Sequence, residues 1–332
     1  MAANLEASEI RDNLLWDAFV AESPQGNVFS TSAWMGAAAG AQGGIPRICG
    51  VFENGRLMAG ASFLELARGP FRKATIAPLA PYCGFLFAPF SGTRPSEEES
   101  RNAALAEALI RCLLSRYHHV LLVQDPRYQD MREFLQKNFA CRVRYSYILD
   151  ITDIDRLRER MEPRVRSVIR KAESSLTVSG VIGLDEFGGL YERVYRDRGN
   201  HCPIPRAYVE RLSGDLISAG IAEMRAVRDQ SGALIAAHVV VFDRDTVYGL
   251  TNGAVPDRSS SGAFSLLLWD TIQRHRVTRK RYDLTGANLP SIAFFKKGFG
   301  GALAPYFVTE RYSSPLVRAA FSLYTGIHKV LP

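Results

Sequence analysis

Small residues directly before a predicted helix are the first candidates for chemistry in this sequence. Residues 257–263, with the sequence DRSSSGA, follow a predicted strand and lead into an apolar helix that begins at Phe264. The first N–H groups of a helix lack intrahelical partners and lie at the positive end of its dipole, so a turn of this kind can bind an anion. An ordinary capped helix start is the alternative interpretation.

One arrangement occurs twice in the chain. Residues 134–141 (FLQKNFAC) correspond to residues 294–301 (FFKKGFGG), an offset of 294 − 134 = 160 residues. The pattern Phe-x-x-Lys-x-Phe is common to both copies and is therefore interpreted as scaffold. Only the second copy has Gly298, Gly300 and Gly301, and glycine lets a backbone approach a ligand closely. We therefore expect the ligand site to lie in the second half of the chain.

Each copy of this segment ends a similar series of elements, which must position it. In both halves the sequence predicts a hairpin, a long helix, a buried strand and a short helix. The predicted ranges are 47–52 with 57–66, then 96–113, 119–124 and 131–139 in the first half, and 222–228 with 234–242, then 261–274, 281–284 and 291–299 in the second. A further strand is predicted within 78–90.

These elements predict an α/β (α+β) fold of two mixed-sheet domains related by internal duplication, at 1–152 and 153–332. The length of 332 residues also favours two domains. The net charge of +7 favours anionic partners, with simple solubility as the alternative explanation. The N-terminus lacks an apolar signal core and no apolar run is long enough to span a membrane, so we expect a cytoplasmic protein without integral membrane association.

Several kinds of site are not expected. The chain has no dinucleotide-binding glycine motif after a strand, no Walker loop, no G-x-S-x-G elbow and no H-E-x-x-H. The six histidines lack ligand spacing, so we expect no metal. The five cysteines are scattered without a C-x-x-C, which argues against a disulfide framework or a structural zinc site. Several of them lie in apolar runs, and we interpret those as small core residues.

The strongest motif lies in the second half, where DLTG at 283–286 precedes FKKGFG at 295–300. This run closely resembles the C-terminal part of the FemAB-like aminoacyltransferases and their GNAT-like relatives, which have a strand ending in Asp-x-x-Gly and then Phe-Lys-x-Gly-Phe-Gly. The resemblance extends to the basic segment 164–172, to 144–150, and to Asn27, Phe29 and Trp34 near the N-terminus. The coiled-coil arm by which the family contacts tRNA is missing here.

The resemblance implies tandem GNAT-like domains and assigns roles to residues of the motif. Lys296 aligns with the family's lysine and is expected to supply the cation that stabilises the oxyanion of acyl transfer, with Phe295 packed beside it. Lys297 remains the alternative lysine. Asp283 is expected to orient or deprotonate an amine nucleophile, and the equally weighted alternative is that it caps the loop through Gly286.

The resemblance also suggests binding residues. Arg166, Arg170 and Lys171 are expected to bind phosphates of tRNA or of a nucleotide-linked acceptor, with a solvated basic face as the alternative. Tyr82 and Asn200 are candidates for the acceptor side. The GNAT pyrophosphate loop has the pattern Arg/Gln-x-x-Gly-x-Gly/Ala, to which the chain offers a degenerate match. The donor-phosphate candidates are therefore Arg258, Ser261, Gly262 and Ala263.

Three functions are consistent with these residues. The favoured one is an N-acyltransferase that moves an aminoacyl group from aminoacyl-tRNA to a small-molecule or nucleotide-linked amine. The second is an acyl-CoA-dependent N-acyltransferase of envelope polysaccharide or secondary metabolite synthesis. The third is a non-catalytic GNAT-like binding module. In each case we expect no tightly bound cofactor, since tRNA or CoA would enter as the donor substrate.

Overall fold

The computed structural model describes residues 5–180, 182–197, 199–255 and 262–328, with the backbone alone at residues 68 and 322–328. The strands in chain order are β1 (Leu5–Glu9), β2 (Ile45–Glu53), β3 (Arg56–Arg68), β4 (Phe71–Thr75), β5 (Leu86–Phe87), β6 (His119–Val123), β7 (Ala140–Asp150), β8 (Leu176–Ser179), β9 (Ala222–Asp229), β10 (Leu234–Phe242), β11 (Thr246–Ala254), β12 (Arg281–Asp283) and β13 (Ala302–Tyr312). The α-helices are α1 (Asn13–Glu22), α2 (Ser32–Gln42), α3 (Pro95–Arg116), α4 (Arg132–Gln136), α5 (Ile154–Arg160), α6 (Pro163–Glu173), α7 (Leu184–Arg196), α8 (Arg206–Ser218), α9 (Ala263–His275), α10 (Pro290–Lys297) and α11 (Pro315–His328).

The chain forms two compact units, Met1–Arg144 with Pro305–Pro332 and Tyr145–Ala304. In the first unit the strand order is β1-β2-β3-β4-β6-β13, with β5 paired to β3. The β4–β6 pair is parallel and its crossover includes α3, whereas β6 and β13 are antiparallel. Pro95 at the start of α3 and acidic residues in its first turn suit a helix N-terminus.

The second unit repeats this plan. Its strand order is β7-β12-β11-β10-β9-β8, the pair β11–β12 is parallel, and the crossover between these strands contains α9. The helices α6 and α9 pack on the sheet through Val165, Ile169, Leu268 and Ile272, which belong to one buried cluster. The mixed α/β architecture with internal duplication is the fold class that the sequence predicts.

The observed units differ from the predicted domains in one respect. The sequence placed the boundary at 152/153 and assigned the whole C-terminal segment to the second domain. In the structure β7, which follows α4, pairs with β12, and β13, which follows α10, pairs with β6. Each unit is therefore completed by the strand that follows the short helix of the other copy, and residues 305–332 group with the first unit.

Short strands account for the other differences. Between residues 78 and 90 only the two residues of β5 form a strand, and the rest of that stretch is loop. The strands β1, β4 and β8, none longer than five residues, were not expected from the sequence. In the described part of the chain no helix is long and apolar enough to cross a membrane.

Phe294 on α10 and Phe299 just beyond this helix differ in burial, so we expect them to contribute differently to stability. Phe299 is fully buried and Phe294 is 61% exposed. We expect Phe299→Ala to lower the free energy of unfolding by about 3–5 kcal/mol, since a large buried side chain leaves a cavity. Phe294→Ala is the matched control and should change it by less than about 0.5 kcal/mol. Urea unfolding of both variants checks this, and equal losses would contradict the assigned core.

Candidate active site

Two parallel strands separate in the middle of the second unit. The β11–β12 pairing ends at Tyr248 and Asp283, whereas β11 continues to Ala254 and has a bulge at Leu250. Beyond Asp283 the chain turns to β7, where the N–H of Leu284 donates to the carbonyl of Tyr147 at 2.9 Å. The opening lies at the carboxyl ends of parallel strands, which is where ligands bind in open α/β sheets.

The loop that leaves β12 is strained. Thr285 has φ of 49° and Gly286 has φ of 55°. A left-handed conformation is uncommon for a β-branched residue, and strain of this kind occurs preferentially at functional sites. Thr285 is held there because its N–H donates to Asp283 Oδ1 at 2.8 Å and its hydroxyl donates to the carbonyl of Gly249 at 2.7 Å.

Lys296 reaches this loop from α10. Its Nζ donates to the carbonyl of Gly286 at 2.6 Å and also to the carbonyl of Thr285. Burial lowers the pKa of Lys296 to about 8, and the charge of Asp283 opposes that shift. An ammonium group has three N–H donors, so these two bonds leave one donor for another oxygen. The residue named from the family resemblance therefore lies where the two strands separate.

Asp283 is enclosed beneath the loop. The residue is 2% exposed, and its carboxylate accepts hydrogen bonds from the Ser146 hydroxyl and the Thr285 N–H. A general base must reach the nucleophile, and a carboxylate enclosed in this way does not. Hydrogen bonds to a carboxylate favour its charged form, which is the form that accepts them. This geometry supports the loop-capping role for Asp283, with Thr285 rather than Gly286 as the residue capped.

The remaining parts of the motif serve packing. Phe295 lies between Phe264 and Phe299, with ring centroids 5.7 and 5.3 Å away. Lys297 is exposed. A Cβ at Gly298 would lie 2.7 Å from the side chain of Val165, and one at Gly300 would lie 2.8 Å from the backbone of Arg160. These glycines let the α5–α6 segment approach, which differs from the ligand approach that the sequence suggested.

The three predicted phosphate-binding residues on α6 differ in exposure and in hydrogen bonding. Arg170 and Lys171 are exposed on α6. Arg166 donates to the carbonyls of Arg158 and Glu159 at 3.1 and 3.4 Å, so part of its binding capacity is used to cap α5.

The start of α9 lies against α6. Gly262 has φ of 74° and directly precedes the helix, where Ala263 is buried. A Cβ at Gly262 would lie 3.0 Å from the carbonyl oxygen of Val168. Lys171 is three residues from Val168 and so lies on the same side of α6. Arg258 and Ser261, the other two donor-phosphate candidates, lie outside the described residues.

The two acceptor-side candidates lie in different units and differ in exposure. Tyr82 belongs to the first unit and is 1% exposed, with its ring edge-on to Tyr306 at 5.3 Å. Asn200 is exposed in the connection between α7 and α8. Across the described ranges, no cluster of three His, Cys, Asp or Glu side chains could hold a metal ion.

Sequence reasoning missed several residues at this site. Thr285 and Ser146 hold Asp283 and the loop, but nothing in their residue types signals those contacts. Phe294 was treated as scaffold, although the guanidinium of Arg164 lies 4.0 Å from its ring centroid and the ring is exposed. The adjacency of Phe294 to Phe295 and Lys296 in the sequence was the available signal.

The comparisons with known proteins agree with this geometry. Residues 154–297, which include the basic helices, the β11–β12 opening and Lys296, match the family model described as Acetyltransferase (GNAT) domain. The second unit is therefore similar to a GNAT acetyltransferase domain over these residues, which agrees with the resemblance that the sequence motifs showed. No curated protein matches the chain.

Solved structures share the fold across nearly the whole chain. FemX matches with a TM-score of 0.68 at 17% identity, covering 91% of this chain and 96% of FemX. L-PGS from Bacillus licheniformis matches at 0.54 and 11% identity, covering 98% of each chain. A tandem GNAT protein from the clavulanic acid biosynthesis pathway matches at 0.50 and 14% identity, covering 94% of this chain and 99% of that chain. The protein thus shares its fold with FemX and with a protein described as a tandem GNAT protein.

Lys296→Ala tests the assigned cation. We expect kcat to fall by about 10²–10³-fold, the usual loss when one donor to a developing oxyanion is removed. Lys297→Ala is the matched control, since Lys297 is adjacent, equally charged and exposed, and it should retain activity. Steady-state kinetics with urea unfolding as a folding check provides the measurement. An active, folded Lys296→Ala would favour a non-catalytic role for the site.

The pH dependence distinguishes a cation from a base. Because the pKa of Lys296 is about 8, the ammonium form is lost as pH rises through that value. We expect kcat to decline above about pH 8 when the acceptor amine is already neutral at pH 7, so that its own titration does not contribute. A kcat that rises through the same range would show that the neutral amine of Lys296 is the active form.

Proposed function

We propose that the protein is an N-acyltransferase that moves an aminoacyl group from aminoacyl-tRNA to an amine acceptor. The observation that carries this proposal is the position of the Lys296 ammonium, held by two loop carbonyls where β11 and β12 separate. A carbonyl that enters this opening from the carboxyl ends of the strands would meet the remaining N–H donor.

The reaction needs little more than positioning and charge stabilisation. The acceptor nitrogen attacks the carbonyl carbon of the donor, and the carbonyl oxygen becomes an oxyanion that Lys296 stabilises. Collapse of this intermediate breaks the bond to the carrier oxygen. The nitrogen loses one proton and the carrier oxygen gains one, so the products are an amide and free tRNA.

The charge around the site supports a large anionic donor. Between residues 154 and 173 there are seven basic side chains and four acidic ones. Arg170 and Lys171 are exposed in this segment, and α6 packs against the start of α9 and the end of α10. Basic side chains on a nucleic-acid-binding surface contact phosphates and position the ligand without reading its sequence. A basic face that extends along α6 suits a polynucleotide.

An exposed aromatic side chain supports RNA as the carrier of the donor group. Phe294 is 61% exposed on α10, with Arg164 over its ring. Unpaired bases stack on exposed aromatic and guanidinium groups, and each stack contributes about 1–3 kcal/mol. We infer that this pair stacks on an unpaired nucleotide of the tRNA.

Acyl-CoA is the second candidate donor. The GNAT domain match favours it, and so does the positive N-terminal end of α9, which Gly262 precedes and which lies against Val168 of α6. The pyrophosphate of CoA would suit such a site. On either donor we assign donor binding to the second unit and acceptor binding to the first.

Transfer assays separate the two donors. We expect the protein to transfer label from aminoacyl-tRNA to members of a panel of amines, small-molecule and nucleotide-linked, and we expect RNase treatment of the donor to abolish that transfer. Parallel reactions contain labelled acyl-CoA, with Lys296→Ala as the negative control for both. Transfer from acyl-CoA alone would reject the tRNA assignment while keeping the acyltransferase.

Charge reversal on α6 tests where the donor binds. We expect Arg170→Glu with Lys171→Glu to raise KM for aminoacyl-tRNA by at least tenfold and to leave kcat nearly unchanged, because these side chains bind phosphates but do not touch the reacting carbonyl. The matched control reverses Arg196 and Arg211, whose side chains are 72% and 63% exposed on α7 and α8. Equal effects of the two double variants would mean that only net charge matters.

A further inference from the structure

Two cysteines of the first unit lie in contact. Cys49 on β2 and Cys112 on α3 have Sγ atoms 2.9 Å apart, and both residues are buried. A disulfide bond is about 2.05 Å long, so the two sulfur atoms need to approach by less than about 1 Å to form one. The two cysteines lie 63 positions apart in the sequence, which gave no indication that they are in contact.

A cavity of about 60 Å³ touches both sulfur-bearing residues. A single water needs about 10–15 Å³, so a molecule of the size of hydrogen peroxide fits. The cavity is also lined by Arg47, Arg116 and Tyr117. Arg116 is exposed and Arg47 is partly exposed, so the cavity borders solvent on that side. A small oxidant can therefore reach the pair without unfolding the unit.

The surroundings of the pair favour one thiolate. Cys49 donates its S–H to Cys112, and this hydrogen bond together with the positive charge of Arg116 lowers the pKa of Cys112 to about 7. The same hydrogen bond and burial raise the pKa of Cys49. The thiolate is the reactive form of cysteine, and nearby arginines are a known cause of its stabilisation. Cys112 is thus the nucleophile and Cys49 the resolving thiol.

We propose that Cys49 and Cys112 form a reversible disulfide when a peroxide enters this cavity. The Cys112 thiolate attacks one peroxide oxygen, the O–O bond breaks, and the released hydroxide takes a proton and leaves as water. Cys112 is now a sulfenic acid. The Cys49 sulfur attacks the Cys112 sulfur, the S–O bond breaks and a second water leaves. Two thiols are oxidised and one peroxide is reduced to two waters, and a dithiol reductant restores the thiols.

The bond would join β2 to α3 and constrain the unfolded chain more than the folded one. We therefore expect oxidation to raise the melting temperature of the first unit. The pair lies in the first unit and Lys296 in the second, so this proposal does not depend on the proposed function.

The test treats the full chain with hydrogen peroxide, blocks remaining thiols under denaturing conditions and maps peptides by mass spectrometry. We expect a cross-linked peptide containing Cys49 and Cys112, a higher melting temperature, and loss of both after dithiothreitol. Persistence of both thiols while Cys141 and Cys202, which are partly exposed, become oxidised would overturn the proposal. A cross-link between other cysteines would do the same.

Variants assign the order of events. Cys49→Ser should accumulate a sulfenic acid at Cys112, which dimedone traps, whereas Cys202→Ser is the control and should form the disulfide normally. Arg116→Gln keeps both cysteines and does not disturb the core, and we expect it to slow oxidation several-fold at pH 7. An unchanged rate in Arg116→Gln would remove the assigned role of that charge, and trapping at Cys49 instead of Cys112 would reverse the assignment.

Discussion

The hydrogen bonds from Lys296 to the carbonyls of Thr285 and Gly286 are the interaction on which the candidate site depends. A charged amine that leaves water is stabilised only if it is paired or hydrogen-bonded, and the two carbonyls with the nearby charge of Asp283 meet that condition. Thr285 adopts a left-handed conformation that a β-branched residue avoids, and its own bonds to Asp283 and Gly249 hold it there. Burial lowers the pKa of Lys296, whereas the bonds to the two carbonyls favour its ammonium form.

This interaction requires α10 to be held firmly, although the helix itself contains no buried residue. Its position is set instead by Phe295 between two other rings and by Phe299, which is fully buried just beyond the helix. Gly298 and Gly300 contribute by letting α5 and α6 approach the turn. The glycine-rich segment therefore acts indirectly on the site, since it helps to position Lys296.

The sequence predicted the elements with strong periodicity and missed those defined by distant pairing. The hairpins and the helices α3 and α9 followed from alternating and 3.6-residue patterns, whereas the role of Lys296 was inferred from a resemblance to a known family. The short strands β4 and β8 carry too few residues for a pattern and exist because longer neighbours pair with them. The exchange of β7 and β13 between the copies has no local signal at all. For the same reason the sequence could not place the Cys49 and Cys112 sulfur atoms together.

Stabilisation of the oxyanion and selection of the donor are assigned to different groups, the first to the fixed Lys296 ammonium and the second to exposed side chains. The Lys296 ammonium is fixed by the partly buried residues Thr285 and Gly286. A single N–H can stabilise the oxyanion of an ester or of a thioester equally well. Asp283, enclosed beneath Thr285, does not discriminate between carriers either. The choice of donor must then be made by groups that contact the carrier itself. We propose that those groups are the exposed side chains of α6 and Phe294, since they have the charge and ring surface that a polynucleotide recognises.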